Sequence, residues 1–251
     1  MLNDAKQICF TAIRECLPEE SVRKALKGLH IEKEVFLLAV GKASFTMAKA
    51  ASEILRVKKG IVISKYGHIP EKLQGIDCYE AGHPLLDENS IRATEAAIAM
   101  CNDLKEDDIV VFLLSGGASA LFESPLIPLE ELRSLNEKLL KSGCGIEAIN
   151  TVRKKLSKVK GGRFADLCKP AKVYSIILSD VLSDRLDIIG SGPTAKDESD
   201  GEKALELLAE HHVDVSDEIR KIISSSHSGQ ADNAVNTIIG SVRILCSKAM
   251  E

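Results

Sequence analysis

The chain alternates short, unbroken apolar runs with longer amphipathic stretches. VFLLAV at 35–40, GIVIS at 60–64, IDCY at 76–79, IVVFLL at 109–114, VYSIIL at 173–178 and TIIG at 237–240 are short and rich in β-branched residues, so they predict strands. Several are apolar at every position, the pattern of a strand covered on both faces. Helical spacing predicts helices between them, at 44–56, at 90–104 behind an N-cap at Asp87 or Asn89, and at 128–142. The last has Pro128 near its first position and Leu129, Leu132, Leu135 and Leu139 in register. The opening MLNDAKQICFTAIRECL reads as an amphipathic helix, not a signal peptide. This alternation predicts an α/β fold, a doubly wound, mostly parallel sheet with helices on both faces. The polar stretch 211–233 is expected to end in a mobile loop.

Three strand ends draw attention. VFLLAV runs into Gly41-Lys42-Ala43-Ser44, IVVFLL into Ser115-Gly116-Gly117-Ala118-Ser119, and VYSIIL into Ser179-Asp180. In an open parallel sheet the carboxyl ends of the strands share one edge, where ligands bind. Each turn is expected to lead toward a helix whose first N–H groups lack internal partners. Small residues let an anion reach such groups, so the edge reads as a phosphate site.

Two familiar phosphate motifs do not apply. Phe36 stands where a Walker A loop ending at Gly41-Lys42 would need its upstream glycine, and Ala43 follows the lysine. GCGIEA at 143–148 follows a helical run, whereas the dinucleotide fingerprint must follow a strand, so this match reads as chance.

Composition narrows the partners. The 251 residues carry 33 basic and 37 acidic side chains, and a net charge of −4 favours neither nucleic acid nor an anionic membrane. Aromatics are 4% and tryptophan is absent, which leaves few platforms for stacking bases. The longest runs of large apolar residues fall far short of the roughly 20 a membrane helix needs. Seven scattered cysteines without a CxxC pair suit reduced thiols in cytoplasm, not a disulfide framework or a zinc site.

INTVRKKLSKVKGG at 149–162, placed on a wheel of about 100° per residue, puts Ile149, Val152, Leu156 and Val159 in one arc. Asn150, Arg153, Ser157 and Lys160 fall beside them, and Lys154, Lys155 and Lys158 take the remaining face. The Asn-Arg-Ser-Lys line suits the rim of a pocket for carboxylate or phosphate. An exposed basic helix fits the same spacing. Farther on, Asp180, Asp184 and Asp187 precede Ser191-Gly192-Pro193-Thr194. Carboxylates beside a phosphate site call for a cation such as Mg²⁺. Helix capping by Asp180 and Asp184 is the alternative.

Six blocks in this order, VGKASFTMAKA, GIVISKYGH, EAGHPLLDENS, LLSGGASALFESP, INTVRKKLSKVKGGRFA and SDVLSDRLDIIGSGPTAKD, closely resemble the N-terminal domain of the class II, MOFRL-type glycerate 2-kinases. The resemblance runs from about residue 3 to the end and implies a Rossmann-like domain that phosphorylates D-glycerate on its 2-hydroxyl with ATP and a divalent metal. It implies catalytic roles for Lys42 and Asp180 and binding roles for Ser115, Gly116, Gly117, Ala118 and Ser119. Asn150, Arg153, Lys160, Ser191, Gly192, Pro193 and Thr194 are implied as further substrate or phosphate contacts, with Ser157, Gly161 and Gly162 in the same blocks. Asp180 and Asp184 are implied as metal ligands, and Asp180 or Asp184 could serve as general base. Two positions depart from the family pattern: Ala118 replaces a third loop glycine, at a strain of roughly 1 kcal/mol or more if its φ is positive, and Ser183 replaces the glycine before Asp184. Family members continue into a second α/β domain. The expectation is therefore an N-terminal domain over 1–235, with 236–251 as strand and helix leading toward a domain absent here. The expected partners are glycerate, a separate chain bearing that second domain, and a homo-oligomer, with no nucleic acid or membrane. The alternatives are an NAD(P)H-dependent hydroxypyruvate reductase and a nucleotide-binding half-protein without turnover.

Overall fold

The computed structural model describes residues 2–250. Six strands form one sheet: β1 Val35–Val40, β2 Val57–Lys65, β3 Ile76–Ala81, β4 Ile109–Leu114, β5 Lys172–Leu178 and β6 Ala234–Gly240. Every pairing is parallel, in the order β3-β2-β1-β4-β5-β6. Each apolar run named above lies in its own strand. The helices are α1 Leu2–Glu15, α2 Pro18–Gly28, α3 Ser44–Ser52, α4 Glu88–Cys101, α5 Ala118–Leu121, α6 Leu129–Lys141, α7 Ile146–Lys155, α8 Arg163–Leu167, α9 Gly201–Glu210, α10 Asp217–Ser224 and α11 Val242–Met250.

The unbroken apolar runs are explained by burial on both faces. Along β1, Val35, Leu37 and Ala39 pack with Val22 and Leu26 of α2 and Met47 of α3, while Phe36, Leu38 and Val40 pack toward α4 and α8. β4 divides its residues the same way. Phe112, Phe122 and Phe164 meet with ring centroids 5.1–5.8 Å apart. Two of the three sit just below the 115–119 turn in sequence or directly after it, which gives that turn a rigid apolar base. A separate apolar cluster joins α6, α7, α9 and α10.

Local signals set several boundaries. Asp87 caps α4, accepting from the Ser90 amide at 2.9 Å while its own amide donates to Ser90 Oγ at 3.2 Å. Pro128 is the N-cap of α6, one place before the position expected for it. The expected domain boundary after residue 235 falls inside β6, which pairs with β5 from Ala234 to Gly240, so this segment is an edge strand of the same sheet. The end of the 211–233 stretch is held down: Arg163 donates to the His227 carbonyl, Asp166 accepts from the Gln230 amide, and Lys155 donates to Ser228.

Candidate active site

The strand order reverses between β1 and β4, and open α/β sheets bind ligands at that switch point. The two turns leaving these strands are locked together. The Ser115 amide donates to the Val40 carbonyl at 2.9 Å, the Lys42 amide donates to the Gly116 carbonyl at 2.9 Å, and the Ala43 amide donates to Ser115 Oγ at 3.1 Å. Gly41 has φ +121°, and a Cβ there would lie 2.2 Å from Ser115 Oγ. Ser115, expected as a ligand contact, is 2% exposed and its hydroxyl is spent on this lock.

Beyond the lock the backbone is bare. Among the described residues, the amides of Gly116, Gly117, Ala118 and Ser119 donate no hydrogen bond within the protein. Gly117 turns the chain with φ +93°, which glycine adopts without strain. Ala118 is not among the residues of positive φ, so its replacement of a glycine brings no such strain. The helix that follows, α5, is a single turn. β1 leads into the nine residues of α3, whereas β5 leads into an irregular loop and not into a helix, contrary to expectation.

Three charged or titratable side chains converge on the two glycines. A Cβ on Gly117 would lie 2.9 Å from His83 Cδ2 and 3.4 Å from Lys42 Cε. A Cβ on Gly116 would lie 2.2 Å from Asp180 Oδ2. Lys42 follows β1, His83 follows β3 and Asp180 follows β5, so one sheet edge supplies all three. Lys42 and Asp180 are exposed. Sequence reasoning passed over His83. It stands in the quoted block EAGHPLLDENS, but a lone histidine before a proline carries no local pattern, and its place over Gly117 is tertiary.

Burial, then the nearby positive charges of Lys42 and Lys65, lower the pKa of His83 below the ordinary 6.5, with Asp180 acting the other way. The imidazole is therefore neutral at pH 7. In an NMR titration, Lys42→Ala should move the His83 pKa up and Asp180→Asn should move it down. Independence from both substitutions would separate His83 from the cluster.

The 149–162 segment departs from the wheel. α7 ends at Lys155, and Ser157 forms an isolated antiparallel bridge with Pro125. Beyond residue 155 a helical projection no longer applies. Asn150 is 5% exposed, and its Oδ1 accepts from Ser191 Oγ at 3.2 Å. Arg153 Nη2 donates to the Ser119 carbonyl at 2.9 Å. Lys160 does not rim a pocket: it is fully buried, 3.1 Å from Glu123 Oε2, and donates to the Ser119 and Phe122 carbonyls at 3.1 and 2.8 Å. Desolvation lowers its pKa to about 8. It braces the 119–122 turn from beneath. Lys154 and Lys155, assigned to the remaining face with Lys158, are buried against Asp197 at 3.4 and 2.9 Å. Only Lys158 of the three is exposed.

The Ser191–Thr194 segment is a second brace. The Gly161 and Gly162 amides donate to the Ser191 and Gly192 carbonyls at 3.0 and 2.7 Å, and the Ala165 amide donates to the Pro193 carbonyl at 3.2 Å. Thr194 Oγ1 lies 2.7 Å from Asn236 Oδ1 and 3.0 Å from Ser175 Oγ, which ties it to β6 and β5. Ser191, with φ +64°, reaches the loop through Oγ, 3.4 Å from Ser119 Oγ. Asn236 and Glu123 were not legible in the sequence, since their partners lie far along the chain.

Asp184 has φ +53°, and its buried Oδ1 has no hydrogen-bond partner among the described residues. Asp187 pairs with Arg185 at 2.9 Å and lies 3.6 Å from Lys154. No group of three or more His, Cys, Asp or Glu residues is arranged to hold a metal among the described residues. GCGIEA at 143–148 links α6 to α7 with no strand before it, as expected of a chance match.

The family described as "Domain of unknown function (DUF4147)" matches residues 4–224. The chain is 45% identical to a D-glycerate 2-kinase of Thermotoga maritima over 249 residues, 98% of this chain and 60% of that protein. It is 41% identical to a glycerate 2-kinase of Pyrococcus horikoshii over 232 residues, 88% of this chain and 52% of that one. The chain belongs to the class II glycerate kinase family. The crystal structure of a glycerate kinase from T. maritima superposes with a TM-score of 0.95 at 44% identity, covering 99% of this chain and 61% of that one. The chain thus spans between 52% and 61% of the length of these family members. The fold shared with the glycerate kinase structure is the six-stranded parallel sheet described above.

Proposed function

We propose that this chain carries the phosphoryl-transfer site of an ATP-dependent D-glycerate 2-kinase. The reading rests on one observation above all: unpartnered amides at Gly116–Ser119 lie at the switch point of the sheet, with Lys42, His83 and Asp180 around them. Phosphoryl transfer asks chiefly for positioning and charge stabilisation. In this reading the loop amides hold anionic oxygens, of the polyphosphate or of the glycerate carboxylate. Lys42 offers its ammonium to charge that grows on the transferring group. Neutral His83 or the Asp180 carboxylate takes the proton of the 2-hydroxyl.

The orphaned Asp184 Oδ1 and the exposed Asp180 suit a hard cation that takes one or two carboxylates plus phosphate oxygens. Mg²⁺ held there would neutralise polyphosphate charge. Gly116→Ala tests the carboxylate's role. Gly116 has no positive φ, and the three atoms nearest the added methyl all belong to the Asp180 side chain, with the carboxylate Oδ2 first at 2.2 Å. Melting should hardly change, while the Mg²⁺ concentration for half-maximal activity should rise about 10-fold, near 1.4 kcal/mol.

A second α/β domain, as in longer family members, would cover the open sheet edge and add basic groups; glycerate and that domain are the partners proposed. Scattered unpaired thiols suit a reducing, cytoplasmic setting. Among the described residues no helix is long and apolar enough to cross a membrane. For hydroxypyruvate reduction, the β1–α3 turn should carry the dinucleotide fingerprint, but it reads Gly41-Lys42-Ala43-Ser44.

The decisive assay supplies D-glycerate, ATP and Mg²⁺ to the purified chain, alone and with the second domain of a relative, and scores 2-phosphoglycerate by enolase coupling. Product in either case supports the reading. No product in both, or NADH oxidation by hydroxypyruvate instead, overturns it.

A further inference from the structure

A cavity of about 290 Å³ adjoins the loop and shares His83, Gly117 and Ser119 with the site above. Its remaining walls come from the 84–86 segment, α6 and α7. Two features set it apart. Leu85, Leu140 and Ile146 stand on its walls although they are 79%, 68% and 61% exposed, so large apolar side chains are held open to solvent. Asn136 and Arg153 also line it, and among the described residues Asn136 Oδ1 and Arg153 Nε are buried without a hydrogen-bond partner. A buried donor and a buried acceptor left unmade are costly, and a ligand that pairs both relieves the cost.

A flat ring system with a donor and an acceptor on one edge satisfies both features, and glycerate, small and polar throughout, satisfies neither. We propose that this cavity seats the purine base of the nucleotide, an inference that rests on the kinase reading above. Asn136 Oδ1 accepts an N–H of the base, Arg153 Nε donates to a ring nitrogen or exocyclic oxygen, and Leu85, Leu140 and Ile146 cover the ring. Because Gly117 and Ser119 belong to both regions, a base seated here sends its phosphates toward the loop amides. The glycerate carboxylate must then be held elsewhere along the edge.

Calorimetric titration of the wild type, Asn136→Leu and Leu140→Asp with ATP, GTP and inorganic tripolyphosphate tests this. Among the described residues Asn136 Oδ1 has no hydrogen-bond partner, and Leu140 is exposed, so neither change should unfold the chain. Both variants should bind ATP or GTP at least about 10-fold more weakly, as expected when a buried polar group loses its partner or an apolar wall turns charged, and should bind tripolyphosphate as the wild type does. Unchanged nucleotide affinity would overturn the base pocket and leave the kinase reading standing. Equal losses for tripolyphosphate would reassign the defect to the loop and also overturn it. A wild type that binds no nucleotide would overturn both.

Discussion

Lys42→Ala is expected to lower kcat by on the order of 10²-fold or more, as removal of one charge-stabilising donor does. The structure lets this loss be read as chemistry. The Lys42 side chain is exposed and makes no hydrogen bond or ion pair among the described residues, and only its backbone joins the lock between the two turns. Surface changes of this kind usually leave stability within about 0.5 kcal/mol. The melting temperature should therefore stay close to that of the wild type while kcat falls. Lys42→Arg should recover only part of the rate, because the guanidinium is larger, planar and set on a different stem. Steady-state kinetics on the purified variants, paired with thermal melts, check both statements. A variant that keeps most of its kcat would remove Lys42 from the mechanism.

Lys160→Ala should do the opposite, lowering stability first. It leaves Glu123, 1% exposed and with Oε1 already unpartnered, as an uncompensated buried carboxylate. Breaking a buried pair in this way costs about 3–5 kcal/mol. The double change Lys160→Met with Glu123→Gln should restore most of the loss, since neither charge remains. Urea denaturation should show the midpoint falling with the slope unchanged in the single variant. The pH dependence carries a definite sign. Lys160 has a folded pKa of about 8 against an ordinary 10.5, so between these values the unfolded chain binds the extra proton and stability rises with pH. Below about pH 8 the burial penalty is present in full. This rise should be absent from the double variant, which has no Lys160 to titrate, and should therefore remain in the difference between wild type and double variant. A Lys160→Ala protein of unchanged stability but weakened substrate binding would return Lys160 to the pocket rim.

These two lysines show which parts of the molecule could be read in advance. The strands were legible because residues such as Val35–Val40 are apolar on both faces, and only a sheet covered twice accounts for that. The edge loops followed, since small residues after buried strands have few other uses. Lys42 and the Gly116–Ser119 turn lie where the sequence pattern places them, at the reversal of strand order. The 149–162 segment was read less well. Its wheel assumed a helix that stops at Lys155, and local spacing cannot show that Lys155 meets Asp197 or that Lys160 meets Glu123. Charged residues look solvated until a distant partner is known. His83 was missed for the same reason, as its neighbours Lys42, Lys65 and Asp180 come from three other strand ends.

The central claim is that the bare amides at the switch point receive an anionic ligand. Amide hydrogen exchange, followed by mass spectrometry with and without ATP, Mg²⁺ and D-glycerate, addresses it most directly. The account predicts slowed exchange at Gly116–Ser119, where no acceptor among the described residues competes, and loss of part of that protection in Lys42→Ala. Ligand-dependent protection confined to other segments, with exchange at Gly116–Ser119 unaltered, would contradict it.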